Sequence, residues 1–292
     1  MNSRINPNTA LPNSTGSGRR IATKKRNGRR RIAFGWYGGK YSHLDFILPH
    51  LPTDCRHFCD VFGGSAAILI NREPVPVETY NDLDSELVNF FRILRNHPSE
   101  LTRAVSLTPF SREELVLACT PSEGLSDLER ARRFYVRARQ TRTGLAQTSS
   151  EGRWAHCVLT SRAGMAGAVS RWLGSAEFLP EIAQRLLRVQ IENAPAVDVV
   201  RRFDTDDTVF YVDPPYVHET RGDANAYAFE MDDLAHKELS EVLNNTRGHV
   251  VLSGYRNSLY DRLYGHWRRV DAPEKTCHSV RSKRQESLWI NR

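Results

Sequence analysis

No stretch of this sequence approaches the roughly 20 consecutive apolar residues that cross a bilayer, and the polar, basic N-terminus lacks the apolar segment of a signal peptide. The expectation is a cytoplasmic protein with no membrane partner. Cysteine is scarce and unpatterned. Cys55, Cys59, Cys119, Cys157 and Cys277 make an odd, scattered set, which argues against a disulfide framework. Cys55, His57 and Cys59 alternate along an expected strand, and no second ligand pair follows at a suitable spacing, so no metal site is expected. Two phosphate-cradling patterns are also missing: neither the full P-loop nor a complete G-x-G-x-x-G occurs. Acids are absent from the first 31 residues, which carry nine Lys and Arg; taking +9 from the net +7 leaves −2 for residues 32–292. The basic character therefore belongs to a tail, rich in Asn, Ser, Thr and Gly, expected to be disordered. Such a tail serves either as a non-specific arm on phosphates or as a solubilising leader.

The remaining chain, 40% hydrophobic overall, is long enough for one large α/β domain with an insertion. Its organising stretch is Thr208-Val209-Phe210-Tyr211-Val212-Asp213-Pro214-Pro215-Tyr216. The β-branched and aromatic run predicts a buried strand. Pro215 forces Pro214 into an extended conformation, and neither proline donates a backbone hydrogen bond. The strand stops there with the Asp213 carboxylate, the Pro214 carbonyl and the Tyr216 ring near one another. Two acceptors beside a flat ring suit a planar group with an amino substituent, such as adenine.

Upstream, Ile32 to Lys40 is apolar and aromatic, then turns through Gly38-Gly39 into Lys40, with helix-like spacing over Tyr41 to Leu51. His57 to Phe62 predicts a strand, and Gly63-Gly64 open an apolar helix. A strand, a glycine turn and a helix begin many nucleotide-binding α/β sheets. A second strand, Val77 to Tyr80, ends at Asp82, eighteen residues beyond Gly64, where an acid can accept both hydroxyls of a ribose. The alternative is a cap for the helix Asp84 to Asn96; the spacing favours the ribose.

Residues 99–145 predict helices, with Ser126 to Glu129 a capping box. Arg130, Arg132, Arg133, Arg137, Arg139 and Arg142 follow on an amphipathic run. They form either a solvated face or one turned to a phosphate backbone, and the second is preferred as the one strong basic cluster outside the tail. Residues 143–175 lack helical periodicity and predict an inserted loop or β-ribbon carrying Arg153, Trp154, His156, Arg162, Arg171 and Trp172, types suited to base-edge reading and wedging. Residues 217–230, with Tyr227 and Phe229, predict a mobile loop over the site. Helices and strands from Asp232 onward close the chain.

Three segments in order resemble the Dam-type adenine-N6 DNA methyltransferases of the D12 class: Trp36-Tyr37-Gly38-Gly39-Lys40, Asp60-Val61-Phe62-Gly63-Gly64 and Asp213-Pro214-Pro215-Tyr216. The resemblance runs from about Ile32 to the C-terminus. It implies a Rossmann-like class I methyltransferase: a seven-stranded mixed sheet binding S-adenosylmethionine, with an inserted helical and β-ribbon recognition region for double-stranded DNA. The implied division is a tail (1–31), a first catalytic part (32–105), a target-recognition region (106–180) and a second catalytic part (181–292). Trp36, Tyr37, Gly39, Lys40, Asp60, Phe62, Gly64, Asp82 and Asp213 would hold the cofactor, with Trp36 and Lys40 at its methionine half and Asp82 at its ribose. Asp213, Pro214, Pro215 and Tyr216 would receive the flipped adenine. Arg137, Arg142, Arg153, Trp154, Arg162 and Arg171 would meet the DNA. A prokaryotic or viral setting near the nucleoid follows, and a homodimer is compatible with it.

Gly35 stands where that family often has Lys, Ala66 where its glycine turn often has another Gly, and residues 143–175 lack the Asn-Val-Pro-Phe-Gly stretch of the GATC readers. The expected target is therefore a sequence other than GATC. A cytosine-N4 enzyme more usually has Ser at the position of Asp213. An RNA or protein-glutamine methyltransferase fits the Arg-rich 143–175 segment less well. A silent DNA-binding relative would not need Lys40, Asp82 and Asp213 together.

Overall fold

The computed structural model describes residues 30–142, 150–217, 229–273, 275–276 and 283–292. The basic tail up to residue 29, Thr143, Tyr227 and Cys277 lie outside the described residues. Seven strands form one sheet: β1 His57–Asp60, β2 Val77–Asn81, β3 Val189–Glu192, β4 Thr208–Val212, β5 His249–Tyr255, β6 Arg268–Asp271 and β7 Glu286–Ile290. Their order is β3-β2-β1-β4-β5-β7-β6. The pairs from β3 through β5 are parallel, and β7 runs antiparallel to both β5 and β6. The expected seven-stranded mixed sheet is the one observed.

Parallel strands covered on both faces must be apolar on both. β4 is buried throughout and divides its side chains by the strand period of two. Val209 and Tyr211 join one core; Phe210 and Val212 join the other. Phe58 and Cys59 of β1, and Leu288 and Trp289 of β7, divide the same way. The first core takes in α3 Ser85–Asn96, α4 Pro98–Leu107, α6 Asp127–Gln140 and α8 Leu179–Leu186, with α5 Arg112–Ala118 against α6. The second takes in α9 Ala196–Phe203, α10 Asp233–Asn244 and α11 Ser258–Leu263. Two short helices, α1 Leu44–Ile47 and α2 Ala67–Asn71, follow the two glycine turns. The expected single helix over Tyr41 to Leu51 is broken instead into 3₁₀, α and 3₁₀ pieces. Pro49, with no N–H to donate, keeps the last turn from continuing the ladder.

The segment expected to be a loop or ribbon is a ribbon only in part. Ser161–Arg162 pairs with Met165–Ala166 across Ala163 and Gly164, both with positive φ, a hairpin turn. Gly167–Ala176 is then a helix, α7. Its apolar spacing is masked by glycines and serines, and the burial of Trp172, whose indole donates to the Thr108 carbonyl at 2.9 Å, holds it in place. Among the described residues no helix is long and apolar enough to cross a membrane.

Candidate active site

Chain order reverses between β1 and β4, and a crevice opens beyond the carboxyl ends of parallel strands at such a point. A cavity of about 330 Å³ lies there. Its lining includes Trp36, Tyr37, Gly39, Lys40, Asp60, Phe62, Gly64, Asp82, Asp213 and Pro215, so all nine expected cofactor residues meet in one place, with one of the two motif prolines.

The glycine turn is fixed on every side. The Gly63 N–H donates to the Asn81 carbonyl at 2.7 Å, the Gly64 N–H to Asp82 Oδ2 at 2.9 Å, and the Tyr80 hydroxyl to the Gly64 carbonyl at 2.8 Å. A Cβ on Gly63 would lie 2.1 Å from the Tyr80 ring, so no side chain fits. Gly64 has φ +48° and a Cβ there would meet the Trp36 indole at 3.0 Å. Ala66, at φ 55°, occupies a left-handed position that favours glycine; the departure from the family pattern therefore falls on a strained residue. The reading of Asp82 as a helix cap fails: Asp84 caps α3, accepting from the Glu86 and Leu87 N–H groups. Asp82 instead bridges the glycine turn to the Asp84 N–H and faces the cavity.

Among the described residues six acids line the cavity, Asp60, Asp82, Asp198, Asp213, Glu230 and Glu238, against one cation, Lys40. Asp60 is buried, and its Oδ2 has no hydrogen-bond partner among the described residues. Burial first, then the charges of Asp213 and Asp82, push its carboxyl well above the ordinary carboxylate range. Burial likewise pushes Asp82 up to about 6, against the pull of the Asp84 and Gly64 N–H groups.

Lys40 is 4% exposed. Its ammonium donates to Asp213 Oδ2 and to the Gly38 carbonyl, both at 2.7 Å, and lies 4.0 Å from Glu286 Oε1. Burial pulls its pKa down, but Asp213 and Glu286 outweigh that and leave it raised. Asp213 Oδ1 accepts from Ser253 Oγ at 2.7 Å, and the Tyr211 hydroxyl lies 3.0 Å from the same serine oxygen. The Asp213 carboxylate is thus gripped at both oxygens. Lys40 meets the motif carboxylate directly, a contact the expected methionine-half role does not describe.

Pro214 and Tyr216 are buried behind the cavity wall and do not line it. The Tyr216 hydroxyl donates to Glu286 Oε1 at 2.6 Å, its ring meets Tyr255 edge-on at 4.6 Å, and the Lys40 ammonium sits 4.7 Å from its centroid. The open stacking surface expected from the sequence is therefore covered in this structure. Ser253, Tyr255 and Glu286 were not legible as site residues. Their one signal was polarity inside apolar strands, as in Glu286 preceding Ser287-Leu288-Trp289-Ile290.

The DNA-facing reading of α6 is corrected. Arg130 pairs with Glu86 and Asp127, Arg132 with Glu114 and Glu129, and Arg133 with Glu129. Arg137 is mostly buried and donates to the Ala118 carbonyl at 2.6 Å. These guanidinium groups tie α6 to α3 and α5. The helix also supports the site from behind: Phe134 packs on Phe34 and Trp36, and the Tyr135 ring stacks on Phe90 at 5.5 Å. Arg137→Ala is expected to cost about 1–3 kcal/mol of stability, as a lost buried hydrogen bond does, while DNA affinity stays at the wild-type value; thermal melts and fluorescence anisotropy with labelled duplex check both. Trp154 is half-buried, its ring stacked on Phe110 and on His156 with the Arg112 guanidinium 4.8 Å from its centroid, so in this structure it packs within the protein and not as an open wedge. Arg142 reaches the His156 ring at 3.4 Å and Arg153 is half-buried. Arg162 and Arg171 are exposed, beside the exposed Val158 and Leu159.

An α/β sheet of this order, with a glycine turn opening a helix beside the crevice, has the plan of a nucleotide-binding Rossmann-like fold. The profile of the D12 class N6 adenine-specific DNA methyltransferases matches residues 36–278, and the chain belongs to that family. It is similar to the type II methyltransferase M1.LlaDCHI of Lactococcus lactis subsp. cremoris, 26% identical over 246 residues, 78% of this chain and 82% of that one. It is also similar to the DNA adenine methylase of Vibrio cholerae serotype O1, 25% identical over 249 residues, 81% of this chain and 85% of that one. Membership implies a methyl-donor cofactor and a DNA substrate.

Proposed function

We propose that this protein transfers a methyl group from S-adenosylmethionine to N6 of an adenine rotated out of double-stranded DNA, within a sequence other than GATC. The observation that carries the reading is the acidic cavity with Asp60 Oδ2, which has no partner among the described residues, and with Asp213 at its wall. The cofactor fits it: a buried acceptor in a crevice whose described lining is mostly acidic suits a ligand that carries an ammonium and a sulfonium. When bound, that ligand supplies an electrophilic methyl on sulfur. Asp60 would accept from its ammonium, Asp82 from its ribose hydroxyls, and Trp36, Tyr37, Phe62 and the backbone at Gly39 and Gly64 would shape the pocket.

The chain's own chemistry is positioning and charge. A flipped base costs a few kcal/mol of pairing and stacking. An ionised carboxylate can accept about four hydrogen bonds; Lys40 and Ser253 take two at Asp213, leaving room for the adenine amino group. The Pro214 carbonyl, covered in this structure, would become the second acceptor once the base displaces that cover, and the nitrogen lone pair would then leave conjugation with the ring. The Asp213 charge then lies where positive charge develops on nitrogen. The two prolines hold both acceptors stiffly. Of the expected DNA-facing arginines, Arg142, Arg162 and Arg171 are exposed and would meet phosphates.

The test is incorporation of tritiated methyl into unmethylated genomic DNA, with modified-base sequencing to give the target. N6-methyladenine at one short sequence supports the reading; methyl on cytosine or RNA, or none, refutes it.

Asp82 adds a pH dependence. Its carboxyl titrates at about 6 in the folded protein against an ordinary 3.8. The folded chain therefore holds this proton where the unfolded chain has lost it, and the group's contribution to stability disappears as pH rises through about 6. Ribose hydroxyls donate to the ionised form, so cofactor affinity has the opposite sign and tightens as pH rises through that value. Calorimetric titration between pH 5 and about 8 should show it, and Asp82→Asn should remove the part centred near 6.

A further inference from the structure

We propose that Glu286 is a positioning residue of the methyl-transfer site, setting both the Tyr216 ring and the charge balance on Lys40. The inference rests on the methyl-transfer reading above and concerns its rate. Glu286 belongs to none of the three motifs. It opens β7, the antiparallel strand, where its register partner is Tyr255 of β5, and it is 4% exposed. A carboxylate buried this far needs compensation. It has it from two motif residues that are remote in sequence: the Tyr216 hydroxyl at 2.6 Å and the Lys40 ammonium at 4.0 Å.

The consequence runs through Lys40. That ammonium stands between two carboxylates, Asp213 at 2.7 Å and Glu286 at 4.0 Å. With Glu286 in place, the lysine charge is shared. Without it, Lys40 acts on Asp213 alone and draws its electron density away from the substrate amino group. At the same time the Tyr216 hydroxyl loses its acceptor inside the protein, and the end of the D-P-P-Y turn loses its anchor to the sheet. Both effects fall on the reacting end of the cavity. Glu286 is not among the cavity-lining residues, whereas Asp60 and Asp82 are, so cofactor binding is not where its loss appears.

Glu286→Gln keeps the size and an acceptor oxygen and removes the charge; Tyr216→Phe removes the hydrogen bond and leaves the charge. Measured on unmethylated genomic DNA with tritiated S-adenosylmethionine, Glu286→Gln should lower kcat about 10- to 100-fold, with cofactor Kd within about twofold of wild type. Tyr216→Phe should lower kcat by less, because the charge on Lys40 remains balanced. The double variant should fall short of the product of the two losses, since both substitutions act on the same Tyr216–Glu286 contact. Glu286→Asp, which restores the charge, should recover part of the rate. Wild-type kcat in Glu286→Gln, a loss confined to cofactor Kd, or strict multiplicativity overturns the inference while leaving adenine methylation intact. Absence of methyl transfer by the wild-type protein overturns the functional reading instead. If Glu286→Gln loses its cooperative thermal transition, Tyr216→Phe decides alone: unchanged turnover overturns the proposal.

Discussion

Asp213→Ala is expected to bind S-adenosylmethionine within about threefold of wild-type affinity and to lose methyl transfer by about a thousandfold or more, the scale seen when one preorganised charge-stabilising group is removed. The split follows from where the side chain stands. Asp213 follows β4 at the cavity wall, held there by Lys40 and Ser253, while Asp60 and Asp82 would hold the cofactor. Its removal also lifts one of the charges that drive the Asp60 carboxyl upward, so cofactor affinity has no reason to weaken. The reaction loses its acceptor for the amino group and its negative charge beside the developing cation together. Lys40 still has Glu286 and the Gly38 carbonyl, which keeps the variant folded. Asp213→Asn is the sharper control. It retains the shape and can accept from Ser253, but its amide presents donors to Lys40 and carries no charge, so the rate should fall by a similar factor. Calorimetry with the cofactor and tritium incorporation into DNA separate the two quantities; substantial turnover by either variant would remove Asp213 from the chemistry.

The fold and the residues that line the cavity were legible because they are local. A β-branched run followed by Asp-Pro-Pro, or a glycine turn after a short strand, fixes its own backbone whatever packs on it. The eighteen-residue interval from Gly64 to Asp82 also reflects local geometry, one helix and the next strand, and the Gly64 N–H bond to Asp82 is its physical content. What the sequence hid depends on distant partners. The arginines of α6 look like a basic face until Glu86, Glu114 and Glu129 are brought against them. Tyr216 looks like an open platform until β7, seventy residues later, supplies Glu286. In both cases the side chain's role is set by a charge from another element, which a one-dimensional pattern does not display. The helix α7 was missed for the opposite reason: Trp172 and a face of small residues pack it against α4, and tertiary contact overrides a weak local signal.

Lys40→Met should have the second largest effect, and its signature is a joint loss of stability and rate. The groups facing the ammonium are Asp213, Glu286, Tyr216, Tyr255 and the Gly38 carbonyl. In the wild type, the raised pKa of Lys40 means that its stabilising contribution is complete below the lysine's ordinary value near 10.5 and is lost only as pH rises through the higher folded value. Breaking a buried pair on one side costs about 3–5 kcal/mol, and this deficit against wild type should close only as pH rises through that folded value. Asp213 also loses the contact that fixes its Oδ2, so the acceptor for the amino group is no longer held in place and neutral-pH activity should fall about a hundredfold. Lys40→Arg should not rescue the rate, because a rigid planar fork does not fit a site built around one compact ammonium. Thermal melts and tritium incorporation check the two quantities, and wild-type turnover by Lys40→Met would show that the lysine does not govern Asp213.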